Sequence, residues 1–202
     1  MPDSSESQKE RLRPAIFLDR DGTINEDIGY LSSPDELILY PWTAEAVRLI
    51  NDSQYESIVI TNQSGVARGL FTEEVLEQIH NRLIEELARR GAHLDAIYYC
   101  PHHPSIGDGR YRQDCECRKP RPGLLFRAAD ERRIDLARSY MIGDKSSDIS
   151  LAAAAGARSV LVLTGYGSMT LARSTGPGAP DIVADNLLEA VKQILDRGEG
   201  EG

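Results

Sequence analysis

Four apolar residues, Ala15-Ile16-Phe17-Leu18, run without a break into Asp19-Arg20-Asp21-Gly22-Thr23. A stretch that is apolar at every position suits a strand buried on both faces, as in a parallel sheet. Two acids stand at its carboxyl end, followed by a glycine that permits a tight turn. Open α/β sheets bind ligands in the crevice beyond the carboxyl ends of their strands. Paired acids placed there can divide labour, one as nucleophile or metal ligand and the other as general acid/base. An Asp-x-Asp by itself is common in turns, so the weight of the reading rests on the rest of the chain.

Further along, the same design repeats. Ser57-Ile58-Val59-Ile60 reads as a second buried strand and ends at Thr61-Asn62-Gln63-Ser64-Gly65. Residues 94–99 read as a third strand, Tyr140-Met141-Ile142 as a fourth ending at Gly143-Asp144, and residues 160–163 as a fifth. Residues 37–39 and 181–184 are candidates for short strands. Between them lie helical patterns. Thr43 is placed to cap a helix with Ala46, Val47, Leu49 and Ile50 on one face. Thr72 caps the clearest helix, with Glu73 and Glu74 at its positive end, Leu76, Ile79, Leu83 and Leu87 along one side, and Gly91 as a stop. Residues 124–131, 147–155 (closed by Gly156) and 187–195 complete the set, whereas Gly165-Tyr166-Gly167 reads as a turn with no helix after it. Strands alternating with helices predict an α/β fold, a Rossmann-like, doubly wound parallel sheet.

Of the 202 residues, 41% are hydrophobic and 27% charged, a composition that suits one globular domain over residues 14–197 between polar tails at 1–13 and 198–202. The net charge of −9 excludes the basic footprint of a general nucleic-acid binder. Residues 1–13 hold no apolar secretory core, and the chain has no run near the ~18 apolar residues of a membrane span, so a cytoplasmic protein without a membrane partner is expected. The sequence is otherwise silent on assembly, and a monomer is the default.

Four polar positions follow the strands in order: Asp19 with Asp21, then Thr61, then Lys119 in Cys117-Arg118-Lys119-Pro120, then Asp144. Phosphoryl transfer needs a nucleophile, a proton donor for the leaving oxygen, hydrogen-bond donors and a cation against the phosphoryl oxygens. A carboxylate attacking a phosphate dianion also needs a divalent ion held by hard oxygen ligands. These residues supply that inventory.

With Asp19-Arg20-Asp21-Gly22-Thr23, Thr61, Lys119 and Gly143-Asp144-Lys145-Ser146-Ser147-Asp148 in that order, the chain resembles the haloacid dehalogenase (HAD) superfamily of phosphatases over residues 15–165. The resemblance implies that Asp19 forms an aspartyl-phosphate, while Asp21 protonates the leaving oxygen and then activates water. It also implies that Thr61 hydrogen-bonds the phosphoryl group, Lys119 offsets its charge, and Asp19, Asp144 and the backbone carbonyl of Asp21 hold Mg²⁺. Asp148, one turn further on, is then a partner of those ligands and not itself a ligand.

All three cysteines fall in one segment, Cys100-Pro101-His102 and Cys115-Glu116-Cys117. Three thiolates and an imidazole make a closed tetrahedral set, the signature of structural Zn²⁺. His103 competes with His102 for the fourth position, and it is the resemblance that favours His102. Such a zinc loop is found in two branches of the superfamily, one acting on a heptose bisphosphate and one on histidinol phosphate. The long His102–Cys115 gap and Asn25-Glu26-Asp27-Ile28-Gly29-Tyr30 resemble the heptose branch, with histidinol phosphate or a broader range of sugar phosphates as the alternative. By the same resemblance Asp27, Ile28, Gly29, Tyr30, Thr61, Asn62, Gln63, Ser64, Arg118, Lys119 and Lys145 would contact a small phosphorylated sugar. About forty residues separate Asp21 from Thr61, too few for a cap domain beside the elements already there, so short loops should shape the site. Arg68, Arg110, Arg112 and Arg121 are candidates to hold a remote phosphate.

Overall fold

The computed structural model describes residues 12–174 and 176–199, with the side chains of 177, 198 and 199 left aside. Six parallel strands form its one sheet among the described residues: β1 (Ala15–Leu18), β2 (Glu56–Asn62), β3 (Ala96–Cys100), β4 (Tyr140–Gly143), β5 (Arg158–Val162) and β6 (Ile182–Ala184). Their spatial order is β3-β2-β1-β4-β5-β6, so the chain winds outward in one direction from β1 and then returns to wind outward in the other. The place where the winding reverses, between β1 and β4, is where such sheets open a crevice.

Helices cover both faces. Alternate residues of β1 divide the core: Ile16 and Leu18 pack with Ala46, Val47 and Ile50 of α1 (Thr43–Asn51) and with Leu187, Ala190, Val191 and Ile194 of α6 (Leu187–Glu199). Leu83 and Leu87 of α2 (Glu73–Ala88) join that layer. Ala15 and Phe17 face the other side, against Leu124, Leu125 and Ala128 of α3 (Gly123–Arg132) and Leu151, Ala152 and Ala155 of α4 (Ser146–Ala155). This is the period-2 division expected of a strand buried on both faces.

Several local expectations are corrected. Thr43 is the first residue of α1 and not its cap, because its hydroxyl donates to the Ile24 carbonyl at 2.6 Å instead of accepting from the helix. Residues 37–39 form no strand. They follow a 3₁₀ turn at Pro34–Glu36, and Leu39 makes only an isolated bridge to Asn25. A short helix, α5 (Gly167–Arg173), does follow Gly165-Tyr166. It spans only seven residues and leaves Met169 and Leu171 exposed, so no buried apolar face registers in sequence. Arg13, expected in the tail, bridges to Ile134, and α6 continues to Glu199; residues 1–11 and 200–202 lie outside the described residues. Thr72 caps α2 as expected, accepting from the Val75 N–H. Thr61 and Asn62 prove to be the last residues of β2, not residues after it.

Candidate active site

Strand register sets the geometry. Leu18 pairs with Val59 and Ile142, so Asp19, Thr61 and Asp144 leave neighbouring strands at nearly the same height. All three are buried, as are Lys119 and Asp148. Asp19 Oδ1 accepts the Arg20 N–H at 2.7 Å and meets Lys119 Nζ at 2.8 Å. Lys119 Nζ also meets Asp148 Oδ1 at 2.7 Å and donates to the Ile60 carbonyl at 3.0 Å. The ammonium thus faces two carboxylates and one carbonyl.

The Lys119 backbone is itself fixed by the sheet. Its N–H donates to Asn62 Oδ1 at 3.1 Å and its carbonyl accepts from Asn62 Nδ2 at 3.2 Å, so an amide side chain at the end of β2 imitates a strand neighbour. Asn62 in turn pairs in register with Cys100 of β3, the first residue of the cysteine cluster.

Carboxylate oxygens of Asp19, Asp144 and Asp148 lie within 4.8 Å of one another. Asp144 Oδ2 accepts the Tyr166 N–H at 2.8 Å, whereas Oδ1 is buried with no hydrogen bond, its charged neighbour Lys145 Nζ being 3.6 Å away. Burial, and next the Asp19 charge, push the Asp144 carboxyl up to about 7. Burial likewise raises Asp19, against the pull of Lys119. A crowded set of acids with an unmet buried oxygen suits a hard divalent cation.

Asp21 is treated differently. Burial would raise its carboxyl, but the Arg20 guanidinium and hydrogen bonds from Asn25 and Gln63 bring it below the ordinary range. Gln63 Nε2 spans Asp21 Oδ2 at 3.0 Å and Thr61 Oγ1 at 2.8 Å, tying the first and second strand ends together.

Beyond these groups lies a cleft of about 460 Å³. Of the residues expected to contact substrate, Asp27, Gly29, Tyr30, Asn62, Gln63, Ser64, Arg118, Lys119 and Lys145 line it, together with Asp21. Ile28 is half exposed and does not line the cleft, and Thr61 lies beneath it. Gly65, Ser147 and Tyr166 do line it, although sequence reasoning named none of them as contacts. Lys145 was legible, and its neighbours explain its place: Nζ meets Asp27 Oδ2 at 2.9 Å and stands 5.1 Å from the centre of the Tyr166 ring. Among the four arginines, Arg68 packs over Tyr30 and donates to His103 Nε2, whereas Arg110 pairs with Glu73 and Arg121 with Asp114 and Glu116.

The cysteine segment closes on itself beside this cleft. Cys117 Sγ lies 3.3 Å from Cys100 Sγ, 3.1 Å from Cys115 Sγ and 3.2 Å from His102 Nδ1. These spacings are slightly tighter than the ~3.8 Å edge of a tetrahedron with ordinary Zn–S bonds. Burial pushes the Cys117 thiol up to about 11, so a cation is what would hold the set as thiolates. His103 stays outside the cluster, accepting from the Ser105 and Ile106 N–H groups. The neck of the loop is pinned, with His103 N–H donating to the Tyr111 carbonyl and Gln113 N–H to the His103 carbonyl. Arg118 Nη1 then donates to the His102 carbonyl, so the segment leaving the cluster enters the cleft directly.

A parallel sheet with buried carboxylates at its reversal point, a strand-end threonine and a buried lysine is the arrangement of a HAD-like phosphatase, and the profile described as HAD-hydrolase-like matches residues 116–190. Full-length relatives sharpen this. The D-glycero-β-D-manno-heptose-1,7-bisphosphate 7-phosphatase of Yersinia pestis is 43% identical over 91% of this chain and 96% of its own length. That of Salmonella typhi is 45% identical over 89% and 96%. The crystal structure of the D,D-heptose 1,7-bisphosphate phosphatase from B. bronchiseptica, complexed with magnesium and phosphate, superposes with a TM-score of 0.81 at 38% identity, covering 91% of this chain and 99% of that one. The chain belongs to the D-glycero-β-D-manno-heptose-1,7-bisphosphate 7-phosphatase family.

Proposed function

We propose that this phosphatase removes the 7-phosphate of D-glycero-β-D-manno-heptose 1,7-bisphosphate through a covalent intermediate on Asp19, within the synthesis of a nucleotide-activated heptose. One observation carries the reading: Asp19, Lys119 and Asp144 converge on a single buried point under a polar cleft, in a chain whose relatives over nine-tenths of its length bear that activity. Asp19 Oδ1 is engaged by Lys119 and a backbone N–H, which leaves Oδ2 to form the new bond to phosphorus. As that bond forms, the ester bond from phosphorus to the sugar oxygen breaks, and Asp21, which Arg20 holds ionised in the free site and which must take up a proton in the substrate complex, gives that proton to the departing oxygen. Water then attacks phosphorus, Asp21 takes its proton, and inorganic phosphate leaves with Asp19 restored. Thr61 Oγ1 and Lys119 Nζ would meet the phosphoryl oxygens.

Asp19, Asp144 and the Asp21 carbonyl would hold Mg²⁺, in keeping with the unmet Asp144 oxygen. When bound, it offsets the charge that otherwise repels a phosphate from a carboxylate nucleophile. Cys100, His102, Cys115 and Cys117 would hold Zn²⁺ in a structural role, stiffening the segment that carries Arg118 and Lys119. The reading includes a cytoplasmic monomer acting on a small phosphorylated sugar, with no nucleic-acid or membrane partner; no helix among the described residues is long and apolar enough to cross a membrane.

The test is phosphate release with Mg²⁺ from both anomers of the heptose bisphosphate, histidinol phosphate and fructose 1,6-bisphosphate. Preference for the β-anomer is expected. Preference for histidinol phosphate would overturn the substrate while keeping the chemistry. An Asp19→Asn protein that still turned over would overturn the nucleophile.

A further inference from the structure

Among the described residues Arg20 heads the wholly buried side chains by size, yet it stands between two acids, Asp19 and Asp21. A buried guanidinium must have its N–H groups met, since burial of an unpaired charge is costly. Its Nε donates to Asp21 Oδ1 at 3.1 Å and Nη2 to Asp21 Oδ2 at 2.9 Å, a two-pronged grip on the carboxylate. Nη2 also donates to Gln63 Oε1 at 3.1 Å. The remaining nitrogen, Nη1, lies 3.4 Å from Nε2 of His80. Because a guanidinium can only donate, His80 Nε2 is the acceptor and the ring proton sits on Nδ1.

His80 comes from α2, on the face otherwise built of Leu76, Ile79, Leu83 and Leu87. A histidine among these apolar residues needs a reason. The other groups around it are Asp21 beyond the guanidinium and the Tyr99 ring of β3 at 5.6 Å, whose hydroxyl donates to Glu73. A carboxylate at this position would compete with Asp21 for the positive charge. A leucine would leave Nη1 unmet. A neutral imidazole satisfies the donor without drawing the guanidinium away. Burial, and then Arg20 itself, push His80 down to about 3, so the ring is neutral at neutral pH.

We propose that His80 is a positioning residue for the phosphoryl-transfer step: by accepting from Arg20 Nη1 it fixes the guanidinium whose opposite edge aims the Asp21 carboxyl at the leaving oxygen. The proposal rests on the reading of Asp21 as the acid/base group. The histidine acts through Arg20 and touches neither substrate nor metal ligands.

The experiment compares His80→Leu, His80→Gln and Asp21→Asn on two substrates under saturating Mg²⁺. One is the heptose bisphosphate, whose alkoxide must be protonated as it leaves. The other is p-nitrophenyl phosphate, whose aryloxide leaves without a proton. General acid catalysis is worth about 10²–10⁴-fold, so a misaimed acid should lower kcat/KM of His80→Leu on the sugar ester, which reports the ester-cleaving step and not the later hydrolysis shared by both substrates, by about tenfold. The loss on the aryl ester should be much smaller, and His80→Gln, which keeps an acceptor, should regain most of the rate. Equal losses on both esters, or a His80→Gln protein no better than His80→Leu, would overturn the proposal. Should His80→Leu fail to fold, nitrogen-15 NMR of the wild-type ring decides: a proton on Nδ1 is expected, and one on Nε2 overturns it. Absence of any leaving-group dependence in Asp21→Asn would instead remove the acid/base assignment beneath it.

Discussion

Lys119 Nζ sits 2.7 Å from Asp148 Oδ1, with both side chains almost wholly withdrawn from solvent. The lysine that the resemblance sets against a phosphate is therefore held from behind by an acid that sequence comparison makes a partner of the metal ligands. Asp148 is the third residue of α4, and its other oxygen accepts the Lys145 N–H at 3.1 Å, so one carboxylate fixes both lysines of the site.

Asp148→Asn should weaken the fold and the site together. Removing one partner of a buried ion pair costs about 3–5 kcal/mol, and the retained Asp19 contact should place the loss near the lower figure. Urea unfolding with and without Mg²⁺ measures it. A change below about 1 kcal/mol would mean the pair adds little beyond what solvent could supply.

Gly165 has φ +53, and a Cβ there would come within 2.3 Å of Asp144 Oδ2 and 2.7 Å of the Gly22 Cα. Gly165→Ala should displace Asp144, destabilise by about 1–3 kcal/mol, and raise the Mg²⁺ concentration needed for half-maximal rate. Titration of activity against Mg²⁺, with thermal unfolding alongside, tests it. An unaltered metal dependence in a folded variant would show that the Tyr166 N–H does not set the carboxylate.

Cys115→Ser should remove bound zinc and expose the 100–117 segment to protease while leaving the sheet folded, because the loop's other anchors, Asn62 and the neck at His103, are independent of the metal. Elemental analysis and limited proteolysis are the readouts. Wild-type protein purified without stoichiometric zinc would refute the role of the cluster.

Acid should weaken the fold through His80. Its folded value of about 3 lies below the free value of 6.5, so between those limits the unfolded chain binds the extra proton. The contribution is complete above about pH 6.5 and is lost as pH falls toward 3, by at most about 1.4 kcal/mol per unit. Unfolding free energies from pH 4 to 8 should fall more steeply for wild type than for His80→Gln. Parallel curves would exclude His80 as the source.

Buried strands and the residues at their ends were legible because a fully apolar run followed by an acid admits few readings. Asp19, Asp21 and Asp144 stand at strand ends as that logic predicts, whereas Thr61 lies inside β2 and Lys119, in a loop, was assigned by the resemblance alone. The cysteine cluster was legible from spacing, but the choice of His102 over His103 was not, since it depends on how the chain turns after β3. Tyr166 and Gly165 were read only as part of a turn because they act on Asp144 through a backbone N–H and through the absence of a side chain, neither of which leaves a pattern. Asn62 was read as a substrate contact, yet both ends of its amide are spent on the Lys119 backbone, a use that only the paired geometry reveals.

The pinned neck of the cysteine loop separates two kinds of inheritance. Residues 104–110 lie outside the contacts that fix His103 to Tyr111 and Gln113, and nearly all of them face solvent. None of them lines the cleft, so insertions or deletions there would leave Lys119 in its place. A lineage could therefore vary the length of this loop without disturbing the buried chemistry behind it.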